Sequence, residues 1–188
     1  VAYYGTEAYA AYGIGVQILS FSFVIGFGFS IAGATLVGQH LGAQNKDQAK
    51  RAGWGAMRLS IISMTFFGVL ITVFAEPLAR YMIDNDEVVR LTVIFIWLLG
   101  SMQPLMAIEF SLGGALRGAG DTKTPLAITL TCLLFIRVFL AVIFFLLDAR
   151  IEIIFSTLVA DYIVKGFLYV ARFRSDRWMN AIKSKEAG

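Results

Sequence analysis

Five apolar runs, each at least 20 residues long, constrain the fold of this chain more than any other feature. The runs are residues 13–38, 52–75, 88–116, 126–147 and 151–170. An α-helix rises about 1.5 Å per residue, so such a run can cross a hydrocarbon layer of about 30 Å. Little alternation of period two disfavours a β-barrel, and the scarcity of polar helix faces disfavours a soluble bundle. The sequence therefore predicts an all-α fold, a polytopic helical membrane protein.

The composition supports this fold class. Hydrophobic residues make up 58% of the 188 residues and charged residues 15%. Soluble domains carry about 25% charged residues. With the turn signals included, we predict membrane spans at about 8–40, 49–75, 88–116, 125–147 and 151–171, followed by a basic tail at 172–188.

Positive charge is concentrated in the predicted loops of one side and in the tail. The ten Lys and Arg residues there are Lys46, Lys50, Arg51, Arg117, Lys123, Arg172, Arg174, Arg177, Lys183 and Lys185. The opposite loops hold only Arg80, Arg90 and Arg150. The positive-inside rule then predicts a multi-pass membrane protein with a cytoplasmic C-terminus. No basic stripe with interleaved aromatic residues is present, so we expect no nucleic-acid partner.

The chain contains one histidine, His40, and one cysteine, Cys132. Because a protein metal site usually takes three or four ligands of the His, Cys and carboxylate types, we predict no metal site and no cofactor. An intramembrane enzyme would need a His–Glu cluster or a Ser–His pair. His40 ends the first predicted helix, so the sequence argues against an enzyme.

Two polar motifs that contain glycine end long helices on the same side. The first is ATLVGQHLGAQN at 34–45, and the second is GGALRGAGDTKTP at 113–125. Gly114 and Gly118 have the four-residue spacing of closely packed membrane helices. We expect Gly42 to make a left-handed turn after the first helix, and Asp121 to be able to pair with Lys123.

Both motifs resemble the cytoplasmic helix-end motifs of the multidrug and toxic compound extrusion (MATE) transporters, and LRGAGDTKTP is the more specific of the two. The order of the spans and the ending RFRSDRW at 172–178 resemble the C-terminal lobe of prokaryotic, DinF-like members. The resemblance implies five transmembrane helices of a six-helix lobe, located in the plasma (inner) membrane. Its partners would then include the N-terminal lobe and the first helix of this lobe, which these residues lack.

The resemblance also implies a function, that of a partial cation-coupled multidrug antiporter. Such a protein exports amphipathic, mostly cationic small molecules through the lipid membrane by alternating access of two lobes, with Na⁺ or H⁺ as the coupling ion. The two motifs would serve either as packing and turn devices or as part of an inner gate. The residues concerned are Gly38, Gln39, Gly42, Arg117, Gly118, Gly120 and Asp121.

Three ionisable residues lie deep in the last two predicted spans. Arg137 and Asp161 each lie twelve residues from Ala149, the centre of a tight predicted hairpin, which would place them at equal height. Lys165 follows Asp161 by one helical turn and can also reach its carboxylate. Because charges in hydrocarbon usually pair, we predict a buried ion pair between Arg137 and Asp161, with Lys165 beside it.

Pro104 interrupts the third span and should bend it near the middle of the membrane. On this helix Met102, Met106 and Glu109 share one face, because they follow at spacings of four and three residues. Thioethers and a carboxylate suit an amphipathic cation, although the same stripe could be core packing with a hydrogen-bonded Glu109. The candidate substrate- or cation-binding residues are Glu109, Met106, Met102, Gln17 and Gln103.

Other interpretations stay open at this point. Many MATE relatives place the coupling acid at the position of Met106, whereas Glu109 lies about one turn closer to the cytoplasm. A lipid-linked oligosaccharide flippase of the same superfamily would need several arginines in its cavity, and only Arg137 is deep here. A non-transporting, five-span membrane subunit is the remaining alternative.

Overall fold

The computed structural model describes residues 6–146 and 151–180, and these ranges contain helices and turns but no strand. The α-helices are α1 (Thr6–Gly42), α2 (Lys46–Val73), α3 (Ala75–Met82), α4 (Asp86–Ser101), α5 (Gln103–Gly118), α6 (Lys123–Thr131), α7 (Phe139–Leu146) and α8 (Ile151–Arg174). A π-helical segment, Cys132–Val138, joins α6 to α7, and a 3₁₀ turn, Arg177–Asn180, follows α8. The predicted all-α fold is confirmed.

Three helical stretches of the described residues are long and apolar enough to cross a membrane, namely α1, α2 and the run from α6 into α7. The bent pair of α4 and α5 makes a fourth if it is counted as one span. The fifth predicted span coincides with α8, whose first six side chains fall outside the described residues. The predicted hairpin at 148–150 lies outside them as well.

The third predicted span is bent by 52° between α4 and α5. The break falls at Met102, and Pro104 is the second residue of α5. Proline is well placed there, because the first N–H groups of a helix have no partner within the helix. At the end of α4, Gly100 lies so close to α2 that a Cβ atom on it would collide with Thr72. The bend is thus the point at which α4 and α5 pack on α2.

Helices α1 and α5 run parallel and in close contact along a seam of small residues. A Cβ atom on Gly114 would collide with the backbone of Ser30, and one on Gly118 with the backbone of Ala34. One turn further along α1, a Cβ atom on Gly38 would lie 3.1 Å from the carbonyl oxygen of Gly118. Only glycine allows this approach, as the spacing of Gly114 and Gly118 predicted.

The seam leads to one end of the bundle, where the α1–α2 turn, the α5–α6 turn and the end of α8 meet. We call it the basic end. Phe173 and Trp178 are fully buried there and stack with ring centroids 4.6 Å apart, while Trp54 of α2 contacts Phe173 edge-on at 5.2 Å. The indole N–H of Trp178 donates to the carbonyl oxygen of Phe173 at 2.8 Å. These contacts attach the residues after α8 to α2.

Candidate functional site

Two carboxylates and one ammonium group form a cluster in the interior of the bundle. The Nζ atom of Lys165 lies 2.8 Å from Oδ2 of Asp161, one turn earlier on α8, and 3.8 Å from Oε1 of Glu109 on α5. Asp161 is fully buried, whereas the Glu109 side chain is 21% exposed. With all three groups ionised the cluster carries a formal charge of −1. Burying a net charge in apolar surroundings is costly, so such a charge is usually paired or serves a function.

The contact predicted between Lys165 and Asp161 is present, whereas the predicted ion pair between Arg137 and Asp161 is wrong. Arg137 is half-buried, and within the described residues no ion pair joins it to Asp161. Arg137 lies in the π-helical segment, whose turns are wider than those of the regular α-helix that the prediction assumed.

The predicted methionine stripe is divided between two environments. Met106 is buried and packs with Met64 and Ala107, so it is a packing residue of the α2–α5 contact. Met102 lies at the break between α4 and α5. Glu109 is therefore the member of the stripe that belongs to the ionisable cluster, with a side chain 21% exposed and a carboxylate oxygen 3.8 Å from Lys165.

The two candidate glutamines lie in different surroundings. Gln17 is exposed and lines an apolar cavity of about 430 Å³ between α1, α2 and α3, whose walls include Phe21, Phe67 and Tyr81 but not Glu109. Gln103 is fully buried against α2. Neither its amide oxygen nor its amide nitrogen has a hydrogen-bond partner among the described residues. The structure thus does not place Gln17 in the Glu109 cluster.

Asp121 of the second motif is bound by α8. Its Oδ2 atom accepts hydrogen bonds from Nη2 of Arg172 at 2.6 Å and from Nε at 2.9 Å. Its Oδ1 atom accepts from the backbone N–H of Thr124 at 3.2 Å, which holds the first turn of α6. Burial opposes ionisation, yet the hydrogen bonds from Thr124 and Arg172 hold the pKa of the Asp121 carboxyl below its usual value. The expected partner, Lys123, is replaced by Arg172, 51 residues away in sequence.

The remaining motif residues are placed as follows. Arg117 donates from Nη2 to Oγ of Ser30 at 2.9 Å, which adds a polar contact to the α1–α5 seam. Gly120 has a φ of 83°, a conformation that favours glycine, and it makes the turn before Asp121. Gln39 is exposed on the last turns of α1. The structure brings the two motifs together at Gly38 and Gly118.

The left-handed residue after α1 is Gln44, with a φ of 58°, and not Gly42 as expected. Helix α1 continues to Gly42, and the N–H of Asn45 donates to the carbonyl oxygen of His40 at 2.9 Å. This is the six-to-one hydrogen bond of a Schellman motif, which requires the left-handed residue directly before its donor. The helix therefore ends two residues later than the position of the glycine suggested.

Sequence reasoning missed three contacts that join distant parts of the chain: Glu109–Lys165, Asp121–Arg172 and Lys50–Asp176, the last at 2.7 Å. Each joins α8, or the turn after it, to another helix or turn. The excess of Lys and Arg near the tail was the available signal, since buried or half-buried acids need cationic partners. It could not indicate which acid meets which cation.

These observations define a helical membrane protein that keeps an ionisable cluster inside apolar helices. Residues 1–143 of the chain match the family model described as MatE, a segment that includes Glu109 but ends before Asp161. The chain belongs to the MatE family, which confirms the resemblance to the MATE transporters drawn from the two helix-end motifs.

Several relatives carry the name of one protein. The chain is 34% identical over 183 residues to "Probable multidrug resistance protein NorM" of Thermotoga maritima, which covers 93% of this chain and 38% of the relative. It is 33% identical over 128 residues to the protein of that name in Mannheimia succiniciproducens, and this match covers 68% of this chain and 28% of the relative. The chain is 29% identical to "Multidrug resistance protein NorM" of Aliivibrio fischeri, and this match covers 62% of this chain and 25% of the relative. The chain thus spans less than two fifths of the length of these relatives.

Proposed function

We propose that this chain is one part of a cation-coupled multidrug antiporter that exports amphipathic, mostly cationic compounds. Family membership and the names of the NorM relatives support drug export. The rest of the transporter, including the first helix of this lobe and the N-terminal lobe, would complete a central cavity. Transport would proceed by alternating access of the two lobes.

The observation that carries this proposal is the unequal sharing of Lys165 between two acids. Lys165 makes a close ion pair with Asp161 at 2.8 Å, whereas its distance of 3.8 Å from Glu109 exceeds that of a good hydrogen bond. Asp161 is therefore neutralised by its neighbour, while Glu109 keeps an incompletely compensated negative charge. A proton, a Na⁺ ion or the positive end of a drug would supply the missing charge.

The position of Glu109 favours this role over a purely structural one. It follows the bend at Met102, and transporters commonly build their ion and substrate sites next to interrupted helices. It is also the least buried member of the cluster, so a ligand can reach it without unpacking Asp161. Whether the coupling ion is Na⁺ or H⁺ is decided by experiment.

The test is Glu109→Gln in the full transporter, reconstituted into vesicles with an imposed Na⁺ or H⁺ gradient. We expect efflux of a cationic dye to lose most of its dependence on one of the two gradients. Glu76→Gln is the matched control, because Glu76 is an exposed acid that pairs with Arg80 on α3, away from the cluster. Gradient-dependent efflux that is equal in the Glu109→Gln variant and the control would overturn the assignment.

We also propose that the protein lies in the inner membrane with its basic end on the cytoplasmic side. The positive-inside rule supports this orientation, because Lys46, Lys50, Lys123 and Arg174 all lie at that end. A single cysteine introduced at the exposed Lys123 of a cysteine-free variant provides the test. In intact cells a membrane-impermeant maleimide should leave it unlabelled, and labelling without permeabilisation would reverse the orientation.

A further inference from the structure

A groove of about 540 Å³ lies on the first three turns of α2, at the basic end. Its lining consists of Asp47, Lys50, Arg51, Trp54, Gly55 and Arg58. These residues recur at helical spacing, so they occupy one face of α2. The groove takes no part in the Glu109 cluster or in the α1–α5 seam.

The charges in this groove are unequally compensated. Lys50 forms an ion pair with Asp176, just after α8, at 2.7 Å. Arg51 and Arg58 are both exposed, and neither forms an ion pair within the described part of the chain. Three cations face Asp47 and Asp176, so the groove keeps a net formal charge of +1. The guanidinium groups of Arg51 and Arg58 are the cations open to a ligand, and guanidinium groups bind phosphate in a forked, two-hydrogen-bond geometry.

The same face of α2 becomes apolar immediately beyond Arg58. Leu59, Ile62 and Phe66 are 60%, 66% and 64% exposed, and they continue the face toward the middle of the span. Trp54 lies between Arg51 and Arg58 in the charged part, and indole rings are enriched at the boundary of a membrane. A small anion could use only the charged part. A molecule with a phosphate at one end and acyl chains at the other matches both.

We propose that this groove binds an anionic phospholipid, with its phosphate headgroup at Arg51 and Arg58 and its acyl chains along Leu59, Ile62 and Phe66. Basic clusters next to a membrane span attract anionic headgroups, and each cationic residue strengthens such binding about fivefold. Because Lys50 in the same groove also holds Asp176, a bound lipid would lie next to the contact that attaches the end of α8 to α2.

The test measures the binding of phosphatidylglycerol and of phosphatidylcholine to the full protein in detergent micelles by native mass spectrometry. The double variant Arg51→Gln/Arg58→Gln should bind phosphatidylglycerol about 25-fold more weakly, and each single variant about fivefold more weakly. The matched control is Lys123→Gln/Arg174→Gln, which removes two exposed cations from the same end outside the groove. It should change the affinity less than twofold. Circular dichroism verifies that all variants keep their helices.

Three outcomes would overturn the proposal. Equal loss in the control would show a general attraction to the basic end. Equal binding of phosphatidylcholine would remove the role of the headgroup charge. Displacement of phosphatidylglycerol by an equal concentration of inorganic phosphate would show a free-anion site that makes no use of the apolar stripe.

Discussion

Lys165 lies within ion-pair distance of two acids, so its removal should be more harmful than the removal of either acid. In Lys165→Met, the side chain keeps a similar length but loses its charge, and both Asp161 and Glu109 remain without their partner. In Asp161→Asn, Lys165 is still 3.8 Å from Glu109, and a small rotamer change can close that distance. The two single variants should therefore differ, although each breaks the same ion pair.

The expected sizes follow from burial. Asp161 is fully buried and Lys165 is 5% exposed, so Lys165→Met leaves an uncompensated buried charge and should lower the free energy of unfolding by about 3–5 kcal/mol. Asp161→Asn should cost less, about 1–3 kcal/mol, the usual cost of a buried polar group without a hydrogen-bond partner, because Glu109 takes over the lysine. The double variant leaves only Glu109 as a charge and should cost less than the sum of the two.

The assay is equilibrium unfolding in detergent micelles, followed by tryptophan fluorescence and by circular dichroism on the single and double variants. A double-mutant cycle then gives the coupling between Asp161 and Lys165 directly. The argument would be refuted if Asp161→Asn were as destabilising as Lys165→Met, or if the two losses simply added. The first result would mean that Glu109 does not take over the lysine, and the second that Asp161 and Lys165 are not coupled.

Three further predictions concern the basic end and the chain as a whole. Gly118→Val should destabilise the bundle by about 1–3 kcal/mol, because its side chain collides with the backbone of α1. Gly28→Val, at a site with open space, should not destabilise the bundle, because valine has a higher helix propensity than glycine; thermal unfolding separates the two variants. The Asp121 carboxyl has a lowered pKa, so its contact with Arg172 stabilises the fold above about pH 4 and is lost progressively as the pH falls further; Asp121→Asn should therefore lower the unfolding temperature at pH 7, and by a decreasing amount as the pH falls below about 4. Vesicles that contain only residues 1–188 should show no gradient-dependent dye efflux, because the chain spans 38% of the Thermotoga maritima relative; robust efflux would contradict the proposal of a partial transporter.

Local signals predicted much of this fold. The apolar runs predicted where long apolar helices form. Pro104 predicted the bend beside Met102, and the spacing of Gly114 and Gly118 predicted a close contact between helices. Each of these signals acts within one or two helical turns, through hydrogen bonding or side-chain size. Such effects are readable from sequence because the residues that cause them are neighbours in the chain.

The charged contacts were harder to predict, since they join residues that lie far apart in sequence. The partner of Asp121 is Arg172, and nothing in the second motif distinguishes it from the nearer Lys123. The sequence offered both Arg137 and Lys165 as partners of the buried Asp161, and it could not show that only Lys165 is in contact with it. Exposure of Gln17 and burial of Gln103 likewise depend on packing between helices.

The two contacts of α5 with its neighbours differ in kind, and the difference bears on how ion binding could alter the bundle. Toward α1 the contact is a backbone-to-backbone seam at Gly114 and Gly118, which has no slack because any added atom collides. Toward α8 it includes the long ion pair from Glu109 to Lys165, which is held by charge alone. In the proposed function, a cation at Glu109 competes with Lys165 for the same carboxylate and so weakens the attraction between α5 and α8. The α1–α5 seam is unaffected by that charge, so α1 and α5 would move as one unit relative to α8. In this proposal a bound cation is linked to a rearrangement of helices. Such a link is required if ion binding is to change the side of the membrane to which the cavity is open.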